Sequence, residues 1–224
     1  MESQPVAQKP TLTIDIVSDV VCPWCIIGYR GLEAAAAALS HNADVVVRWH
    51  PFELAPDTPS EGQPLAEYTR QRYGATPEQS SQNRTRIVET GRALGIDFRY
   101  GPQSRIYNSH KAHELLMWAG ETGGQTALKL ALFKVYFTDQ SNISEDDVLL
   151  GAVGSVGLDL VEAKAVLTDR RHAAAVDAEI SHWRDQNITG VPAFIINETY
   201  MIPGAQDGET FVRILERVLE KSMA

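Results

Sequence analysis

The sequence predicts an α/β protein in which a mixed central sheet flanked by helices is interrupted by a large all-helical insertion. Strand-like, β-branched patterning is confined to the two ends of the chain, at Thr11–Val17 and Asp44–Trp49 and again at Ala193–Asn197 and Tyr200–Ile202. Between about Thr58 and Asn187 helical patterns dominate. The length of 224 residues exceeds one small α/β domain and falls short of two full-sized ones, which suits a single core carrying an insertion. The expected division is residues 11–57 and 188–222 for the core and 58–187 for the insertion.

Each element has a local reason. Thr11–Val17 (TLTIDIV) reads as a buried strand that runs into Cys22-Pro23-Trp24-Cys25. Ile26–Leu39 is rich in alanine and lacks proline, so a helix should begin at the cysteine motif and run for about four turns. The valine-rich Asp44–Trp49 is a second strand, and Pro51, Pro56 and Pro59 end regular structure after it. Thr76-Pro77-Glu78-Gln79 is a capping box with proline at the first helical position, opening a helix to Leu94. Tyr107–Glu121, Gln125–Phe137, Ser144–Val156 and Leu160–Thr168 read as further helices, separated by Gly123-Gly124, Ser141-Asn142 and Gly157. A hairpin turning at Glu198-Thr199 and an amphipathic helix over Asp207–Lys221 complete the chain.

With 44% apolar and 22% charged residues, the composition is that of a globular protein able to bury a substantial core. A net charge of -9 argues against a nucleic-acid partner, which would attract clustered Lys and Arg. Met1–Pro10 has neither an apolar core nor a small-residue cleavage pattern, so no secretory signal is expected there. No run approaches the roughly 20 apolar residues of a membrane-crossing helix, so no membrane partner is expected. The two cysteines stand three positions apart, leaving none for a structural staple. That fits the cytoplasm, where disulfides are rare and usually catalytic.

If a helix starts at the motif, Cys22 is its N-cap and Pro23 its first residue, where a missing N–H is harmless. Cys22 then faces unsatisfied backbone N–H groups and the positive end of the helix dipole, which predicts a lowered thiol pKa. Cys25, one turn on, lies within disulfide reach but deeper, where desolvation favours the neutral thiol. These unequal sulfurs suit thiol-disulfide exchange: Cys22 attacks a disulfide, and Cys25 then displaces the partner. Pro23 and Trp24 are candidates to tune the pair. Asp19 is another, its alternative being a turn or cap residue.

Two other readings of the motif stand beside this one. The cysteines could form half of a zinc site completed by His110 and His113. Against this, a helix-starting Pro-Trp is unlike a zinc knuckle and His-x-x-His is short, so no metal is expected. The cysteines could also be inert core residues, against which Pro23 and the preceding strand count.

Gly190-Val191-Pro192-Ala193 leads into the AFIIN strand, and a proline at a strand entry raises the question of its peptide isomer. With the order of strand, CxxC helix, strand, hairpin and final helix, the chain resembles DsbA-like thioredoxin-fold oxidoreductases, most closely their FrnE-like branch. The resemblance is carried by SDVVCPWC at Ser18–Cys25, WHPFEL at Trp49–Leu54, Gly190-Val191-Pro192 and Gly204-Ala205-Gln206, and runs from about Thr11 to Leu219.

It implies a thioredoxin-like core interrupted by a helical domain, Cys22 as nucleophile and Cys25 as resolving thiol. It further implies a cis Val191–Pro192 bond beside them, with the Val191 backbone pairing with an extended substrate. Asn108 and His113, in YNSHKAHELLMWA, resemble a helical segment facing the cleft and are substrate-binding candidates beside Val191 and Pro192. Asn108 could equally cap its helix and His113 be a satisfied semi-buried histidine; Tyr107, Met117 and Trp118 would wall the cleft or belong to the core. One departure concerns Ile16, which stands where many thioredoxin-like proteins carry a buried acid.

The implied partners are protein or small-molecule disulfides and thiols, with no resident cofactor, glutathione as a candidate cosubstrate, and a monomeric or homodimeric chain. A second reading is a glutathione-dependent isomerase or transferase of the 2-hydroxychromene-2-carboxylate isomerase or kappa class, or a polyketide-tailoring isomerase. The former two typically place serine at the first cysteine position, so retention of Cys22 and Cys25 favours redox chemistry. A third, non-enzymatic reading is a chaperone-like module using the helical insertion as a hydrophobic cleft.

Overall fold

The β-branched run near the start of the chain becomes β1 (Thr11–Ser18), an interior strand buried along nearly its whole length. The computed structural model describes residues 9–222, so the reading of Met1–Pro10 lies largely outside the described residues. β1 pairs in parallel with β2 (Asp44–Pro51) and antiparallel with β5 (Ala193–Ile196). β5 pairs antiparallel with β6 (Tyr200–Pro203), giving the order β2-β1-β5-β6. Parallel strands need a crossover, and α1 (Pro23–Ala38) supplies it between β1 and β2. The closing helix α9 (Gly208–Ser222) packs on α1. A Cβ on Gly31 of α1 would collide with the Gln206 carbonyl oxygen, so glycine is what lets the turn before α9 approach the helix.

Between β2 and β5 run α2 (Leu65–Tyr73), α3 (Pro77–Ala93), α4 (His110–Glu121), α5 (Gln125–Phe137), α6 (Asp146–Ser155), α7 (Leu160–Asp169) and α8 (Ala173–Asp185). The capping box is present: the Gln79 N–H donates to the Thr76 hydroxyl at 3.2 Å, and the Gln79 side chain accepts the Thr76 N–H at 2.9 Å. α4 starts later than its apolar spacing suggests because the Asn108 carboxamide accepts the His110 N–H at 2.9 Å, forming a turn first. The insertion is also not purely helical. β3 (Gln63–Pro64) and β4 (Arg105–Ile106) form a two-residue antiparallel ribbon, too short to show alternation. The Arg105 guanidinium holds it by donating to the Glu61 and Gly62 carbonyls at 2.9 and 2.7 Å.

The insertion is joined to the sheet at two places. The Gln125 side chain accepts the Trp49 N–H at 3.0 Å and donates to the Trp49 carbonyl at 2.9 Å, while the Trp49 indole donates to Thr126 at 3.0 Å. On β1, buried Asp15 accepts two bonds from Arg48 at 2.6 and 2.8 Å and one from His50 at 2.8 Å. The other His50 nitrogen reaches Glu179 of α8 at 3.1 Å. Burial pushes the Asp15 carboxyl up, but His50 and Arg48 outweigh it and hold its pKa at about 2. Buried apolar side chains of the sheet, α1 and α4 to α7 join in one cluster. Among the described residues no helix is long and apolar enough to cross a membrane.

Candidate active site

β1 ends in a turn in which the Asp19 carbonyl accepts the Cys22 N–H at 3.2 Å. Cys22 has extended N-cap geometry (φ -94°, ψ 112°), and Pro23 opens α1, as the motif predicts. Both cysteines are free thiols. Cys22 is 4% exposed and Cys25 fully buried, so only the first offers an outside reagent any approach. The Cys22 thiol donates to the Val191 carbonyl at 3.6 Å, and the Val191–Pro192 peptide is cis. Pro192 leads directly into β5, and its carbonyl accepts the Gly204 N–H at 2.8 Å, tying the loop to the turn after β6.

The electrostatics differ from the sequence expectation. The Cys22 pKa is raised well above the ordinary thiol value, by the Cys25 sulfur against it and by burial, with the Asp19 charge adding to the effect. The Cys25 pKa is lowered: burial opposes ionisation, but the Cys22 thiol, the adjacent Ser18 hydroxyl and the positive charge of Lys129 outweigh it. Of the two sulfurs, the inner one is therefore the easier to ionise. The Cys25 N–H does favour a Cys22 thiolate, but more weakly than its neighbours oppose it.

Asp19 is fully enclosed beneath the motif. Its carboxylate accepts the Leu54 N–H at 2.7 Å and the Val21 N–H at 3.3 Å, and His113 stands 3.5 Å away. Burial raises the Asp19 pKa, but these donors, His113 foremost, outweigh it and keep the carboxyl ionised. Asp19 thus organises the turn and places a fixed negative charge under the pair.

A cleft of about 560 Å³ opens on Cys22, Pro23 and Trp24 and is bounded opposite by α2 and α3. Tyr68, Tyr73, Tyr100 and Tyr136 give it aromatic walls, Arg84 a positive group, and Val191 one edge. The Arg86 guanidinium lies 4.8 Å over the Trp24 ring. Of the sequence candidates, Cys22, Pro23, Trp24 and Val191 line this cleft, with Pro192 next to them and Cys25 and Asp19 beneath. Asn108 and His113 do not line it. Asn108 is occupied with the His110 N–H and with the Pro56 carbonyl, to which it donates at 2.7 Å. His113, buried, donates to the Phe52 carbonyl at 3.0 Å, and burial lowers its pKa in spite of Asp19, so it is neutral. His110 is engaged with Glu53 at 3.2 Å. Tyr107 and Trp118 are core residues, and Met117 lines a different cavity.

The sequence reading missed the tyrosine wall and Lys129. The wall comes from segments with no chemical motif. Lys129 did leave a trace, since its spacing to Phe133 and Tyr136 puts it on the apolar face of α5.

The model of the DsbA-like thioredoxin domain family matches residues 13–216. A probable DsbA oxidoreductase of Streptomyces coelicolor superposes with a TM-score of 0.84 at 30% identity, covering 93% of this chain and 90% of that one. The Bacillus subtilis protein YwbO is 28% identical over 206 residues, 92% of this chain and 96% of its own. The cytosolic disulfide reductase DsbM of Pseudomonas aeruginosa, in a structure with GSH, shares the fold at 18% identity and a TM-score of 0.62, covering 93% of this chain and 99% of that one. A sheet order with β1 between β2 and β5, a CxxC helix on its end and a family match along nearly the whole chain agree: this protein belongs to the DsbA-like thioredoxin-domain family.

Proposed function

We propose that the protein is a thiol-disulfide oxidoreductase in which Cys22 attacks and Cys25 resolves. The observation that carries this reading is the asymmetry of the pair: Cys22 opens on the cleft, and Cys25 is fully buried behind it and the more readily ionised. Cys22 passes its proton to the Cys25 thiolate as it attacks one sulfur of the substrate disulfide. The substrate S–S bond breaks, a first thiolate leaves, and a mixed disulfide remains on Cys22. Cys25 then attacks the Cys22 sulfur, and the second substrate sulfur leaves, taking the proton. Two electrons pass from the pair to the substrate, and the reverse sequence oxidises a dithiol. The Val191 backbone, beside Cys22 at the cleft edge, pairs with an extended substrate in the manner of strand addition.

The substrates are disulfide- or thiol-containing proteins or small molecules, with glutathione as cosubstrate, and the setting is cytoplasmic. Support comes from the absence of cysteine outside the pair and from the shared fold of DsbM, a cytosolic reductase whose structure includes GSH. The presence of both cysteines favours redox chemistry over glutathione-dependent isomerisation.

The test is to equilibrate the pure protein with glutathione buffers and trap free thiols. A reversible two-thiol titration is expected, and its midpoint gives the direction in which the enzyme works. Cys25→Ser should accumulate a mixed disulfide on Cys22, and Cys22→Ser should form none. A wild-type protein without a reversible titration would overturn the redox reading.

A further inference from the structure

Lys129 is among the largest fully buried side chains in the described structure, and its ammonium nitrogen has no hydrogen-bond partner. It lies over the ring faces of Trp49 and Phe133, 5.3 and 5.2 Å from their centroids. A cation so enclosed is costly and persists where other charges compensate it. The titratable groups near enough for charge to act between them and it are Cys25 and Cys22 at the start of α1, Asp19 in the turn after β1, and the neutral His113 of α4. Arg48 and His50 of β2, Glu121 of α4 and Glu179 of α8 line the same cavity of about 310 Å³, which shares no lining residue with the cleft at Cys22. Lys129 therefore acts on the cysteines from the core, outside the cleft that opens on Cys22. Ile16 of β1, buried in the main apolar cluster, adds no carboxyl to this set.

We propose that Lys129 is a positioning residue for the redox pair: its ammonium group stabilises the negative charge that Cys22 and Cys25 share when reduced. This rests on the redox reading above. Oxidation by a substrate disulfide forms the Cys22–Cys25 bond, passes two electrons to the substrate, and releases one thiolate and one thiol, the thiol carrying the pair's proton. The protein disulfide bears no charge, so the stabilisation by Lys129 is lost on oxidation. The cation thus favours the reduced pair and makes it a stronger oxidant of dithiols. Burial pushes the Lys129 pKa down to about 8 while the two sulfurs and Asp19 hold it up. Removing the charge of the sulfurs lets that pKa fall further, so oxidation also loosens the lysine proton.

Lys129→Met, of similar length and without charge, and Lys129→Arg, which keeps the charge, test this in the full chain. In Lys129→Met the thiolate absorbance of the reduced protein should appear about one pH unit higher, and the glutathione equilibrium should move about tenfold toward the protein disulfide, near 30 mV. Lys129→Arg should stay closer to the wild type in both readouts. A folded Lys129→Met with an unchanged thiolate profile and potential overturns the proposal. Nuclear magnetic resonance of the wild-type lysine needs no variant: its ammonium should titrate at lower pH in the oxidised protein, and identical titration in both redox states overturns the proposal equally. A reversible two-thiol titration in the wild type keeps the redox reading intact whichever way Lys129 behaves.

Discussion

Glu53 shows how one residue reports its surroundings. Its carboxyl is 9% exposed, and burial, with the charges of Asp19 and Asp177 adding, pushes its pKa up to about 7. A folded-state pKa above the unfolded value means that stability is fully present below the usual carboxyl pKa and is lost as pH rises through 7. Glu53→Gln should therefore raise stability at pH 8 by on the order of 1–3 kcal/mol and change it little at pH 4, as urea unfolding at the two pH values would show. At this scale the sequence was legible where a local rule decides. Cys22 as N-cap and Pro23 as first helical residue follow from chain chemistry alone. The direction of the Cys22 pKa was not, because the groups that favour ionising Cys25 instead include Lys129, more than a hundred positions away.

Among elements, the junction of β1, β2 and α8 depends on Asp15. Its pKa of about 2 means that the stability it contributes is present above the ordinary carboxyl value and is lost as pH falls through 2. Asp15→Asn should lower stability by about 2 kcal/mol at pH 7, and the difference from wild type should vanish near pH 2. Thermal unfolding of both proteins across that range checks it. The strands and α5 were readable, since apolar period and flanking glycines agree there. α2 and α8 were not: α2 (LAEYTRQRY) buries only Tyr68, and α8 only Val176 and Ile180, so neither has the apolar stripe that marks a helix. The cleft walls fell with α2, which supplies Tyr68 and Tyr73.

For the whole molecule, the main cluster of buried side chains, which runs from the sheet and α1 into α4 to α7, predicts one cooperative unfolding transition. Tryptophan fluorescence, with Trp24 between the cysteines, Trp49 on β2 and Trp118 and Trp183 on α4 and α8, should coincide with loss of helical circular dichroism in urea. Two separated transitions would mean that the insertion unfolds on its own. The order of the strands and the long helical interruption were legible in the distribution of β-branched runs. The seam between insertion and sheet was not, because it rests on Gln125, an ordinary polar residue at the start of a helix. The carboxamide of Gln125 presents an acceptor and a donor to Trp49 as the peptide group of a neighbouring strand would. A sheet normally ends in a row of vacant backbone groups that invites another chain to add itself, the first step toward aggregation. On the β2 side that invitation is answered from within: at Trp49 the strand already has its neighbour. On the other side, β6 is four residues long and ends in Pro203, leaving an intruding strand little to copy.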